Sequence, residues 1–431
     1  MQRIFNVGYL GMENVIDVLE ERGFVDQMTH ADLRKQVGSP IKVYVGFDPT
    51  SDSLHLGNLV GIMALAWFQK FGHTPFAILG GATGLIGDPS GKSQERNLLD
   101  QQTLAYNVQC LDRFFKKVLS FENGPQPVIL NNDEWLGRFT LVEFLRDVGK
   151  HFRIGPMMGK EMVRTRLQSE EGMSFTEFTY QILQGYDFHY LSKKHGVSLQ
   201  MGGSDQWGNI TAGIELNRKL GGIPLFGLTF PLLTKRDGKK FGKTEEGAIW
   251  LSSEKLSPYQ FYQYLIRVSD EDVIQLLKNL TFLSLDEIRE IESGMQEPNR
   301  AQKRLAEEVT RFVHGEEGLQ TAQKVTQGIN PGSDAMLTGS LLSQIAEDMP
   351  SCELSQAEVL GRKFVDVAVQ VGFSPSKSEA VRLIKNGGAY LNNVRIHDPA
   401  FVILKKDLID HTYLLFSMGK KKRLLIKINK N

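Results

Sequence analysis

The chain has 431 residues, 41% of them hydrophobic, enough to bury a large core spread over about two to four domains. Its 50 basic residues balance 50 acidic ones, which excludes a uniformly basic nucleic-acid binder and leaves room for a local basic patch. The only two cysteines, Cys110 and Cys352, are far apart and supply neither a disulfide framework nor a cysteine-based zinc site, as fits a reducing compartment.

No two of the histidines have the spacing of a metal-binding helix, so no protein-bound metal is expected. The start, "MQRIFNVGYLGMENV", has neither a long apolar core nor the Arg/Ser-rich, acid-poor character of a transit peptide. No apolar run is long enough to span a membrane. A cytoplasmic protein with no membrane partner is the expectation.

In chain order, "ENVIDVLEER" has helical spacing and stops at Gly23. "IKVYVGFD" predicts a strand with Ile41, Val43, Val45 and Phe47 on one face and Tyr44, Gly46 and Asp48 on the other. The second face suits a surface approached by a ligand, or a turn glycine beside a half-exposed tyrosine. Leu56, Leu59, Val60, Met63 and Trp67 then recur at helix spacing up to Gly72, and "PFAILGGATG" reads as a second buried strand entering a glycine-rich turn. Strand, helix, strand at this spacing is a parallel α/β unit, whose functional edge lies where strands end and helices begin.

"GGATGLIGDPSGKS" invites a phosphate-loop assignment and fails it. Ile86 stands where the first loop glycine belongs, and Pro89 interrupts the segment. Leu79 likewise occupies the first glycine of a dinucleotide fingerprint. What remains is a glycine-rich strand end followed by Asp88, Lys92 and Arg96.

In "FTEFTYQILQGYDFHYL", Tyr180, Gln184 and Asp187 form one polar line on a helix. A solvent-facing line is usually built of Lys and Glu, so these residue types favour a pocket wall for a small polar ligand. "LQMGGSDQWGNITAG" repeats the strand-end pattern: its two glycines, Gly202 and Gly203, let backbone approach a ligand, Ser204, Asp205 and Gln206 offer hydrogen bonds, and a carboxylate here suits a ribose diol. "KRDGKKFGKTEEG" carries Lys240 and Lys243 in a turn-rich segment. It is either an exposed basic loop or a mobile one that closes positive charge over polyphosphate.

From about residue 250 the pattern becomes helical, through "SPYQFYQYLIRV", "EDVIQLLKNL", "LDEIREIESGM" and "AQKRLAEEVTRFVHG". A compact last module begins near 359 and ends in "GKKKRLLIKINK".

Together these blocks resemble the class I tyrosyl-tRNA synthetases of the bacterial and organellar type, over nearly the whole chain. "HLGN" at 55–58 resembles the first class I signature, usually HIGH, and "KFGKT" at 240–244 the second, KMSKS. "GFDPTSDSLH", "GGATGLIGDPSGK", "FTEFTYQILQGYDF" and "GGSDQWGNITAG" match blocks that set the tyrosine enzymes apart. The resemblance implies a Rossmann-like parallel-sheet catalytic domain over 1–247, with a connective insertion at about 120–165 that builds a homodimer interface. A helical anticodon-side domain over 248–325, a linker over 326–358 and a small α+β RNA-binding module of αL type over 359–431 would follow.

It also implies the activity: ATP, with Mg2+, activates L-tyrosine to tyrosyl-adenylate, and tRNA(Tyr) then receives the tyrosyl group. Tyr44 and Asp187 would bind the phenol, Asp88, Tyr180 and Gln184 the ammonium group, and Gln200 and Gln206 would lie near the carboxylate. ATP and its transition state would fall to Gly46, Asp48, Thr50, His55, Asn58, Lys92, Arg96, Gly203, Asp205, Lys240, Lys243 and Thr244. Lys377, Arg382, Lys385 and Arg395 would contact RNA phosphates. His55 would begin a helix whose free N–H groups favour a phosphate. Asn58 departs from the usual histidine but keeps a neutral amide donor. Three rivals stand beside this assignment: a tryptophan enzyme, which lacks the Tyr44–Asp187 pair and the appended module; a noncatalytic RNA-binding or splicing protein derived from a synthetase, which would be expected to lose signature residues; and a P-loop nucleotidase, excluded by Ile86.

Overall fold

The computed structural model describes residues 14–92, 98–119, 124–234, 236, 238, 241–244, 247–333, 337–346, 349–419 and 422–429, with Lys243 and Thr244 described by backbone alone. Arg96 and Lys240, both expected at the phosphates, lie outside the described residues. The chain divides into two compact units, Met1–Leu256 with Leu265–Val313, and Ser257–Tyr264 with His314–Asn431.

The first unit is built on a six-stranded sheet of β1 (Gln27–Met28), β2 (Lys42–Phe47), β3 (Thr74–Leu79), β4 (Val128–Asn131), β5 (Val197–Gly203) and β6 (Phe226–Phe230). The spatial order is β1-β6-β5-β2-β3-β4, and every neighbouring pair is parallel except the β1–β6 edge. Strand order reverses beside β2, because β3 and β4 lie to one side and β5 and β6 to the other. That reversal opens a crevice at the carboxyl ends of β2 and β5, the usual ligand position in such sheets.

The two faces of β2 divide as its alternation predicts. Val43, Val45 and Phe47 are buried, and helix α1 (Leu59–Lys70) packs on that face so closely that a Cβ at Gly61 would meet Val45 at 3.3 Å. Phe47 also meets Phe115 of α2 (Gln101–Val118), with ring centroids 4.6 Å apart. On the opposite face Tyr44 sits edge-on to Phe188 of α3 (Phe175–His195), at 5.3 Å.

Helix α3 starts where Ser174 accepts the Glu177 N–H, and ends at Gly196, whose φ of 73° suits glycine. It runs against α4 (Trp207–Lys219) by pairing Gly185 with Gly213. A Cβ at Gly213 would come within 2.9 Å of Phe188, so the close crossing requires glycine there.

Two boundaries differ from the sequence expectation. The insertion was placed at about 120–165, yet residues 128–131 form the edge strand β4, paired parallel to β3. The short helices outside the sheet begin after it and continue through Glu161–Leu167. An apolar "VIL" followed by two asparagines has strand character, and only the pairing with β3 shows which sheet it completes.

A small hairpin, β7 (Lys243–Thr244) with β8 (Gly247–Ala248), follows β6 in the chain. Later helices Asp270–Leu280 and Leu285–Ser293 belong to this unit as well. Buried Arg22 ties them to it, donating to the Thr281 and Leu283 carbonyls while its guanidinium lies 4.5 Å over the Trp67 ring. Within helix Arg300–Gly328 the units divide between Val313 and His314, next to Gly315, whose φ of 79° interrupts the helix.

In the second unit, β9 (Ser351–Ser355), β10 (Ala389–Leu391), β11 (Val394–Arg395), β12 (Tyr413–Met418) and β13 (Lys422–Asn429) form a sheet ordered β11-β10-β12-β13-β9. Strand alternation serves two cores: Leu414 and Phe416 face one that contains Phe364, and Leu415 joins Ile329, Leu342 and Ile345 in the other. Residues 351–355, placed in a linker from sequence, are therefore a sheet strand paired parallel to β13. Leu342 and Ile345, in that same stretch, are core residues. Pairing between strands some 75 residues apart is a long-range fact that local composition cannot carry.

Candidate active site

The floor of the site is the second face of β2. Tyr44 is 1% exposed, while a Cβ added at Gly46 would meet nothing within 4 Å. An open space therefore lies above Gly46, walled by the line Tyr180, Gln184 and Asp187 on α3. Tyr180 and Asp187 are both buried, so the line is a pocket wall and not a solvated stripe.

At the deep end, Asp187 accepts hydrogen bonds from Trp135 Nε1 at 2.7 Å and Asn132 Nδ2 at 3.1 Å. Burial pushes its carboxyl up to about 7, against the opposing pull of those two donors and with a further push from the Asp48 charge. The Tyr44 phenol is raised well above its usual range, first by burial and then by the Asp187 charge, so it stays neutral. Its hydroxyl is buried with no hydrogen-bond partner among the described residues. Such an orphan costs about 1–3 kcal/mol, and a ligand hydroxyl that reaches it would supply the missing partner. Gln200, in register with Tyr44 on the neighbouring strand, also buries an unpartnered Oε1.

The middle of the site gathers hydrogen-bond acceptors. Tyr180 Oη donates to Asp48 Oδ2 at 2.8 Å, and Thr83 Oγ1 donates to Asp48 Oδ1 at 2.8 Å. Asp48, grouped by sequence with the nucleotide residues, is thus joined to the amino-acid half. Asp88 accepts from Gln206 Nε2 at 2.7 Å and from the Ser90 N–H at 2.9 Å. Asn209 Nδ2 donates to Gln184 Oε1 at 2.9 Å, and Gln184 Nε2 to Gln206 Oε1 at 3.2 Å. Carboxylates and amide oxygens converging at one place suit a cationic group such as an ammonium.

The outer end is backbone and glycine. Thr50 is exposed and donates its N–H to the Asp48 carbonyl. Gly203 closes β5, and Asp205 stands on the short turn Ser204–Gln206, so near Gly91 that a Cβ there would meet its Oδ2 at 2.8 Å. Lys92 is exposed beside it.

His55 precedes a 3-10 turn, Leu56–Asn58, before α1 begins. The Leu56 N–H is taken by the Ile249 carbonyl and the Asn58 N–H by His55, so two of the donors expected to face a phosphate are already used. The cause is pairing of this segment with residues 249–251. Asn58 was expected to act through its amide N–H; the structure adds an acceptor role, because its Oδ1 takes the His55 N–H at 3.1 Å. The second lysine-bearing segment lies directly alongside: a Cβ at Gly242 would meet Leu56 at 2.9 Å.

Sequence reasoning missed Asn132, Trp135, Thr83 and Asn209, which hold the predicted residues in place. A faint signal existed in "LNNDEW", where two asparagines and a tryptophan follow a buried strand. In the second unit, Arg382 and Lys385 lie in the last turn of helix Lys377–Lys385, and Arg395 reaches back to Gly387, just past that helix. Lys377 is at the other end of the helix, paired with Asp366 at 2.6 Å, so three of the four expected RNA contacts converge and one does not.

With this geometry in view, comparison with known proteins gives a clear family. The model for "tRNA synthetases class I (W and Y)" matches residues 35–329, and the chain belongs to that family. Residues 342–426 match "Tyrosine--tRNA ligase SYY-like C-terminal domain". A tyrosine–tRNA ligase of Protochlamydia amoebophila is 56% identical, over 97% of this chain and 99% of its own length. The chloroplastic/mitochondrial tyrosine–tRNA ligase of Arabidopsis thaliana is 51% identical, over 96% of this chain and 84% of its own. Among solved structures, a C-terminally truncated mitochondrial tyrosyl-tRNA synthetase of Aspergillus nidulans has a TM-score of 0.64 and 31% identity, over 72% of this chain and 92% of that one.

Proposed function

We propose that the chain attaches L-tyrosine to tRNA(Tyr) in two steps, through tyrosyl-adenylate. The observation that carries this assignment is the unpartnered, buried Tyr44 hydroxyl beside Asp187, set in an apolar cluster that includes Phe76, Ile78 and Phe188. A substrate phenol there donates to the Asp187 carboxylate, beside the Trp135 and Asn132 donors it already has, and accepts from Tyr44, whose hydroxyl lacks a partner. Phenylalanine would leave the Tyr44 hydroxyl unpaired and offer the Asp187 carboxylate no third donor, a penalty that in synthetases of this kind reaches about 10^4-fold or more.

Tyr180, Gln184 and Asp88 then receive the substrate ammonium. Gln206, already bonded to Asp88, and Gln200 flank the substrate carboxylate. One carboxylate oxygen attacks the α-phosphorus of ATP; the new O–P bond forms as the bond to the bridging oxygen breaks, and pyrophosphate departs with that electron pair. No side chain acts as nucleophile or base, so the residues contribute position and charge. Asp205 binds the ribose, Gly46 and Gly203 admit the nucleotide, and Asp48 and Thr50 border it. His55, Asn58, Lys92, Arg96, Lys240, Lys243 and Thr244 stabilise the phosphates. Mg2+ arriving with ATP supplies further neutralisation of the polyphosphate.

The protein works as a homodimer in the cytoplasm. Leu141, Val142, Leu145, Ile154, Met158 and Phe175, on the insertion and the start of α3, are exposed, Phe175 to 77%. Exposed apolar side chains of this kind suit a surface covered by a second copy of the chain. Arg382, Lys385 and Arg395 contact tRNA phosphates, and none of the helices among the described residues is long and apolar enough to cross a membrane.

The test is tyrosine-dependent ATP–pyrophosphate exchange beside phenylalanine and tryptophan. Exchange with tyrosine alone is expected. Exchange with tryptophan would refute the phenol assignment, and RNA binding without exchange would point to a noncatalytic synthetase relative.

A further inference from the structure

Two cations of the insertion have no place in the reaction as described, and both are turned inward. Arg166, 4% exposed, forms a bidentate pair with buried Glu177 of α3, at 3.2 and 2.9 Å. The same guanidinium donates through Nε to the Gly172 carbonyl at 3.1 Å and through Nη1 to the Lys92 carbonyl at 3.4 Å. Lys160 is half-buried, and its ammonium donates to the Gly208 carbonyl at 2.5 Å. Both belong to one short stretch, helix Glu161–Leu167 and the residue before it.

The two carbonyls they hold lie on different walls. Lys92 ends the glycine-rich loop that carries Asp88, and Gly208 follows the turn that carries Asp205 and Gln206. Where these walls meet, Gly91 and Asp205 approach so closely that a Cβ at Gly91 would stand 2.8 Å from the carboxylate. A fixed separation between them matters, because charge stabilisation of a transition state falls steeply when a group is displaced by even about 1 Å.

We propose that Lys160 and Arg166 are positioning residues for adenylate formation: they fix the Lys92 loop against the Asp205–Gly208 turn from the side of the insertion. The inference rests on the assignment of Lys92 and Asp205 to the nucleotide. Arg is required at 166 by geometry, since only a planar guanidinium can serve a carboxylate bidentately and two carbonyls at once. Substituting it leaves Glu177 buried and unpaired, so the sharper variants are Arg166→Lys, which keeps the charge, and Lys160→Met, which keeps the shape. The Gly208 carbonyl keeps a bond from Thr211 Oγ1 at 3.1 Å in the latter.

The experiment is single-turnover formation of tyrosyl-adenylate by the full-length protein, with tyrosine affinity measured separately. Wild-type turnover with tyrosine first establishes the underlying assignment; its absence would sink that assignment and not this one alone. Given wild-type activity, each variant is expected to slow adenylate formation by about tenfold with tyrosine affinity unchanged. In a Lys92→Ala background the further effect of Arg166→Lys should shrink to less than about twofold, because the residue acts through Lys92. Rates within about twofold of wild type for both variants, or a full additive loss in the Lys92→Ala background, would overturn the proposal.

Discussion

The two ends of the site are built on opposite plans. The proposed phenol end is closed: Tyr44, Asp187 and Trp135 are each less than 5% exposed, and Asn132 and Trp135 fix the carboxylate before any ligand arrives. The proposed phosphate end is more open: Gly46 and Lys92 are exposed, and glycine backbone borders it at Gly203 and at Gly242, whose φ is 82°. Selectivity needs the first plan, since a rigid, desolvated site punishes a missing hydroxyl. Catalysis of phosphoryl attack needs the second, since charge must gather on the leaving pyrophosphate and then let it go.

The largest expected effect separates the ends most sharply. Lys243→Ala should slow adenylate formation by about 10^2-fold or more while tyrosine affinity stays within about twofold, as read by single-turnover kinetics and equilibrium binding. A defect confined to binding would erase the contrast. Asp187→Asn should do the reverse at the closed end, lowering the tyrosine-to-phenylalanine ratio in exchange by about 10^2-fold, because the amide has no charge to hold the phenol and its N–H would confront one of the two donors, Trp135 or Asn132.

Smaller effects sharpen the boundary. Asn58→Leu removes both the amide donor and the cap on the His55 N–H and should slow adenylate formation about tenfold, ~1.4 kcal/mol, while Asn58→His remains active. Full turnover in the leucine variant would remove Asn58 from the phosphate end. Tyr44→Phe should lower selectivity only about three- to tenfold, since one neutral hydrogen bond is lost, and should raise the melting temperature of the free protein by relieving an unpaired buried hydroxyl. A lower melting temperature would show that the hydroxyl has a partner at rest.

The same contrast explains what could be read from sequence. The alternation in "IKVYVGFD" and the spacing of Tyr180, Gln184 and Asp187 are local, so both faces of β2 and the pocket wall were legible before the fold was known. Asn132, Trp135 and Thr83 were not, because each reaches a side chain about 35 to 55 positions away in the chain. The capture of the Leu56 N–H by Ile249 is hidden for the same reason: it depends on a pairing across nearly two hundred residues. The edge strands β4 and β9 are likewise defined by their partners, β3 and β13, and not by their own composition.

Preorganisation of the closed end is tested most directly by the protons that tyrosine moves on binding. The free carboxyl of Asp187 is raised to about 7, so it is mostly protonated at pH 6 and mostly ionised at pH 8. A phenol that donates to it favours the ionised form and draws its pKa down, so binding must release a proton below pH 7. Calorimetry of tyrosine binding in buffers of different ionisation enthalpy should show release approaching one proton at pH 6, almost none at pH 8, and that difference lost in Asp187→Asn. Equal proton release in the wild type and in Asp187→Asn across that range would contradict the account.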